Sequence, residues 1–167
     1  MGSNKNLTRK PKSKRTPYSK ASDDEKVRRN WKKAKGLFDR YEWSVAILRC
    51  GTCLELAINA AIREELVAER ELPPSFVDKL LKNANGLHNK YQNIYLPIME
   101  EYQEHEELKR LWSSHIVKIN KERNAIAHSG EFRSKSVADD VMRHTYEALD
   151  KIMDLHGYAG KIKPIET

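Results

Sequence analysis

Between about Tyr41 and Arg70 the chain carries no proline and a single glycine, Gly51, and apolar side chains cover most of the helical circumference. A helix that is apolar on nearly every side has to be wrapped by other elements, so this stretch predicts one central helix with its neighbours packed around it. Its polar residues are ordered. At 100° per residue, Arg49, Thr52, Glu55, Asn59 and Arg63 fall within an arc of roughly 120°. That single polar stripe is either the solvent face or the wall of a polar cleft. The charges of Arg49 and Glu55, inside the apolar run 45–62, argue against a membrane span and for a buried helix.

The flanking pattern is also helical. Ser22-Asp23-Asp24-Glu25 reads as a capping box, followed by Val27, Trp31, Ala34 and Phe38 at helical spacing, with Gly36 as a weak point. Pro73-Pro74 ends the central helix, and Ser75 with Asp78 predicts a shorter one to about Ala84, stopped by Asn85-Gly86. In residues 87–103, Tyr91, Ile94, Tyr95 and Ile98 have helical spacing, but Pro97 predicts two short pieces or a loop. A long helix is expected from about Glu104 to Ala127, with Leu108, Leu111, Trp112, His115, Ile116, Ile119, Arg123 and Ile126 on one stripe and Gly130 as its stop. Ser136 with Asp139 predicts the start of a last helix that ends near Gly157. No alternating β pattern and no repeat occurs. The expectation is an all-α, up-and-down bundle of about five helices over residues 22–160, in one domain, as 167 residues allow.

The net charge of +7 lies in the first 20 residues, which hold Lys5, Arg9, Lys10, Lys12, Lys14, Arg15 and Lys20 and no acid, leaving 24 basic and 24 acidic residues elsewhere. With two prolines and almost no aliphatic side chains, residues 1–21 are expected to be a disordered basic tail. Arg9, Lys10, Lys12, Lys14 and Arg15 are its candidate contacts to a phosphate backbone, with affinity falling as salt rises; a purely solubilising tail is the alternative. Residues 161–167 read as a short C-terminal tail.

Two cysteines, Cys50 and Cys53, cannot supply a disulfide framework, and no apolar run follows the basic N-terminus as in a signal peptide; a cytoplasmic location is expected. Lying inside a predicted helix, the two read as core thiols rather than a redox pair. His88, His105, His115, His144 and His156 show no finger-like spacing with them, so no metal or cofactor is expected. His115 reads as a packed or rim residue, and His144 as solvated or facing a cleft.

Arg123, Asn124 and His128 concentrate phosphate-handling and proton-handling groups at one helix end. Arg123 stands on the apolar stripe of its helix, where a charge is costly unless paired or used. On an unbroken helix His128 projects roughly 140° away from Arg123, whereas Asn124 shares its face at i, i+4. A joint site is therefore expected to need either a helix end that loosens before Gly130 or a second subunit. The structural alternative pairs Arg123 with a buried carboxylate such as Glu55 and leaves His128 to the helix dipole. The chain is then a non-catalytic module that binds RNA or a protein. A DNA-binding regulator lacks helix-turn-helix spacing here.

Arg123-Asn124-x-x-Ala127-His128 on the penultimate long helix, preceded by a helix such as 44–57, resembles the HEPN superfamily over roughly residues 25–157. The resemblance implies a dimeric helical bundle and a metal-independent endoribonuclease of toxin–antitoxin or antiviral defence systems. By it, Arg123 neutralises the scissile phosphate, His128 is the general acid or base, Asn124 orients one of them, and Glu55 is a supporting carboxylate. The implied partners are RNA, a second copy and an antitoxin or other defence protein, with no membrane. Arginine's planar fork fits phosphate oxygens, and a group titrating near neutrality can move the protons of 2′-hydroxyl attack without a metal. Where some relatives in this superfamily carry a modifiable tyrosine two residues after the histidine, this chain has Gly130, so that form of regulation is not expected.

Overall fold

In the computed structural model, which describes residues 16–158, the chain forms six helices and, among the described residues, no strand. They are α1 (Asp23–Asp39), α2 (Trp43–Arg63, continued by a π turn Glu64–Glu69), α3 (Pro74–Asn83), α4 (Gly86–Lys90, continued by Tyr91–Tyr95, Leu96–Ile98 and Met99–Glu101), α5 (His105–Leu111, Trp112–Ile116 and Val117–Ser129) and α6 (Lys135–Leu155). The fold is all-α, as expected, with α2 at its centre against α1, α4, α5 and α6. Ile47, Cys50, Leu54, Ala57 and Ile58 of α2 meet Val27 and Trp31 of α1, Ile116 and Ile119 of α5, and Met142 and Leu149 of α6 in one core. The stretch Trp43–Glu69 is long and apolar enough to cross a membrane, but 61% of its most apolar window is buried inside the molecule.

The polar stripe of α2 is neither a bare solvent face nor one cleft wall. Arg49 donates to Asn30 on α1 (3.0 Å), Arg63 pairs with Asp23 on α1 (2.9 Å) and Asp78 on α3 (3.1 Å), and Glu55 pairs with Lys90 on α4 (2.6 Å). The stripe therefore ties α2 to three neighbours. Helical periodicity reveals a polar arc, but not which elements lie against it.

Several helix starts differ from expectation. Ser22 precedes α1, yet its hydroxyl donates to Asp24 (2.6 Å) and caps no backbone amide. Pro74, not Ser75, opens α3, because proline's missing N–H is harmless in the first turn. The cap of α6 is Ser134, which accepts from the Val137 amide (3.4 Å), two residues before Ser136. α1 runs through Gly36 without a break.

The largest difference lies in residues 87–103, which form a sixth helix. The π turn Tyr91–Tyr95 immediately precedes Pro97. Proline cannot donate to the carbonyl four residues back and its ring crowds that carbonyl; the wider π turn relieves both and lets helix continue to Ile98. Residues 16–21 belong to the folded part: Tyr18–Lys20 forms a 3-10 turn, Ala21 is buried, and the Tyr18 hydroxyl accepts from Asn30 (2.9 Å). Arg9, Lys10, Lys12, Lys14 and Arg15 lie outside the described residues, as does the segment 161–167.

Candidate functional site

Val117–Ser129 of α5 is regular to its end, where Gly130 takes a left-handed conformation (φ 64°) and donates to the Ile126 carbonyl (3.2 Å). The helix does not loosen before Gly130. Nevertheless Arg123, Asn124 and His128 line one cleft of about 380 Å³, closed on its other side by Asn85, Gly86, Leu87 and His88 at the start of α4, with Asn120 completing the α5 wall. Of the two expected routes to a joint site, the loosened helix end is not taken. Arg123 Nη1 donates to Asn124 Oδ1 (2.9 Å), which links the guanidinium to the residue that shares a helical row with His128, and all three line the cleft.

The stem of Arg123 is fixed by α2. A β-carbon placed on Gly51 would lie 2.9 Å from Arg123 Cγ, so the absence of a side chain there is what lets α5 lay this arginine against the central helix. Gly51 is the single glycine of the apolar stretch, and its role is close approach.

No carboxylate of the described residues takes the charge of Arg123. Among the described residues none lies within 4.0 Å of it, and the three acids nearest in the pattern are engaged elsewhere. Glu55 accepts from Lys90, while Glu122 and Glu131 (2.6 Å) both pair with Arg133, whose guanidinium they hold above its usual pKa, Glu122 most strongly. The pairing of Arg123 with Glu55 is thus not made. Nor does Glu55 orient Arg123 or His128; it anchors α4, the opposite wall of the cleft, through Lys90. The Arg133 backbone also donates to Ser44 on α2 (2.9 Å), which pins the loop that follows His128.

Three polar residues of the cleft were not singled out by sequence: Asn85, His88 and Asn120. Asn120 stands four residues before Asn124 on the same helical row, a signal that was readable. His88 had none, because α4 was not expected. Its ring is exposed yet held edge-on against Trp112 (5.2 Å). The cleft therefore presents one arginine, two histidines and three asparagines, and no acid among its lining residues.

On the neighbouring flank of α2 lies a larger groove of about 680 Å³, lined by Tyr18, Arg29, Asn30, Lys32, Lys33, Gly36, Arg40, Arg49 and Thr52. Arg29 pairs with Glu25 and Arg40 with Glu42 (2.9 Å), but Lys32 and Lys33 meet no carboxylate among the described residues. Arg49 is held by the amide oxygen of Asn30, as Arg123 is by Asn124. In both places an asparagine positions a guanidinium without neutralising it.

The cysteines are core thiols. Cys50 donates to Met142 Sδ (3.2 Å), and burial pushes its thiol up to about 12 and that of Cys53 well above its ordinary value, so neither forms a thiolate readily. His144 does not face the cleft but His115, Nδ1 to Nδ1 at 2.8 Å. Compared with protein-family models, with curated proteins and with solved structures, the chain finds no match.

Proposed function

We propose that the chain is a metal-independent endoribonuclease of HEPN type, acting in the cytoplasm as a homodimer within a toxin–antitoxin or antiviral defence system. One observation carries the reading: Arg123, held by an amide and paired with no acid among the described residues, shares with His128 a cleft that none of their carboxylates lines. Such a cleft suits an anion whose cleavage needs proton transfer, and RNA brings its own nucleophile.

In the reaction the 2′-hydroxyl attacks the adjacent phosphorus as its proton leaves, the phosphate oxygens gain charge against the Arg123 guanidinium, and a proton reaches the departing 5′-oxygen. His128 performs one of the two transfers. The other falls to His88 across the same cleft or to a second copy of His128 in a dimer; His88→Ala separates the two, because only the first arrangement loses cleavage. Asn120 and Asn124 keep the phosphate and the guanidinium in register. The groove of Lys32, Lys33 and Arg49, together with the basic N-terminal residues, receives flanking phosphates, and Tyr18 offers a ring for a base.

The test is the chemistry of the ends. Purified protein given single-stranded RNA in EDTA should leave 2′,3′-cyclic phosphate and 5′-hydroxyl termini, and a 2′-deoxy substitution at the cut position should abolish cutting. Termini of 3′-hydroxyl and 5′-phosphate, or cutting that stops with the chelator while the protein's melting temperature is unchanged, contradict the proposal.

A further inference from the structure

His115, His144 and Glu147 lie apart from this cleft, where α5 crosses α6, and none of them lines it. We propose that they form a binding site for a transition-metal ion of the zinc class, which clamps the two helices together. His144 and Glu147 are three residues apart on α6 and so share a face. His115 approaches from α5, with Nδ1 2.8 Å from His144 Nδ1 and 3.2 Å from Glu147 Oε2. All three donor atoms fall within 4.8 Å of one another. Donors around a tetrahedral zinc ion stand about 3.3 Å apart, given bonds of roughly 2.0–2.1 Å, so small rotamer adjustments seat the ion.

Two independent features support the assignment. The second ring nitrogen of His144, Nε2, is 3.4 Å from Asp140 Oδ1. A metal-bound imidazole commonly gives its other N–H to a carboxylate in this way, which fixes the ring and leaves Nδ1 a free lone pair. Asp140 is itself held by Lys118 and by Arg143 (2.5 Å), which makes it a fixed acceptor rather than a fourth ligand. Finally, His115 sits inside the π turn Trp112–Ile116, a local widening of α5 that re-aims the side chains it contains.

Glu147 is the exposed member, and its other oxygen, Oε1, lies 3.8 Å from Arg143, leaving Oε2 to the metal. The ion enters from this side, and water takes the fourth position. Two imidazoles with one carboxylate select zinc over magnesium or calcium, which prefer all-oxygen cages.

Metal binding is read without RNA, so its outcome does not depend on the ribonuclease proposal. Full-length protein stripped with EDTA and dialysed is titrated with zinc chloride by calorimetry, and its melting temperature is followed with and without the metal. One zinc per chain and a zinc-dependent rise in Tm are expected, with no rise from magnesium chloride. Cobalt chloride should give the visible absorption of a tetrahedral site. His144→Ala and, on the exposed side, Glu147→Gln should lose the zinc-dependent rise while keeping a metal-free Tm near that of the parent; His128→Ala should keep the rise. Absence of bound zinc, or zinc binding that survives both His144→Ala and Glu147→Gln, overturns the assignment.

Discussion

A β-carbon at position 51 would stand 2.9 Å from Cγ of Arg123, closer than β-carbons approach other atoms, so the stem of the arginine would have to shift. Alanine in place of a helix-interior glycine ordinarily gains about 1 kcal/mol of helix propensity, while crowding costs about 1–3 kcal/mol. Gly51→Ala is therefore expected to move Tm by only a few degrees, whereas displacing the guanidinium by about 1 Å should lower cleavage about 100-fold; paired melting and kinetic measurements check both. Arg123→Ala makes a complementary case. Removing one partner of a buried ion pair costs about 3–5 kcal/mol, but Arg123 has no carboxylate partner among the described residues, so urea unfolding of the variant should show a loss nearer 1 kcal/mol. Arg123, Asn124 and His128 were legible in the sequence because their residue types are unusual at that helix end. Gly51 was visible only as an isolated glycine, since close approach belongs to a pair of helices and not to either one. The facing pair His115 and His144 stayed hidden for the same reason: spacing along the chain says nothing about two helices that cross.

Among the elements, α4 was the least legible and proves to be the opposite wall of the site. Pro97 predicted a break, and only the π turn before it shows how the helix continues. What holds α4 in place is the pair between Lys90, 7% exposed, and Glu55 on the α2 stripe. Glu55 is itself part-exposed and glutamine keeps an acceptor for the ammonium, so Glu55→Gln is expected to cost about 1–3 kcal/mol by denaturant unfolding. Because the same change loosens the wall that carries His88, it should also raise KM for RNA more than it lowers kcat. The polar arc of α2 was read correctly as an arc; its division among α1, α3 and α4 needed their placement.

For the molecule as a whole, the all-α architecture with one core followed from the apolar stretch 41–70, and its pH response follows from what the core encloses. His156 is buried, its Nε2 2.9 Å from the Tyr95 hydroxyl and its Nδ1 3.6 Å from Glu65. Burial holds its pKa below the ordinary 6.5, against a smaller opposing pull from Glu65. The unfolded chain therefore binds a proton that the folded chain resists, and stability should be level above about pH 6.5 and fall as pH drops below it. His156→Gln should flatten that fall, which Tm measured across the pH range will show. The central claim is that Arg123 and His128 form one metal-independent ribonuclease site, and it is tested most directly by comparing the parent protein with His128→Ala on total RNA in EDTA. His128 is exposed and forms no part of the core, so the variant should keep the parent's Tm while its cleavage rate falls by about 10²–10⁴-fold. Cleavage by folded His128→Ala at the parent's rate would contradict the account.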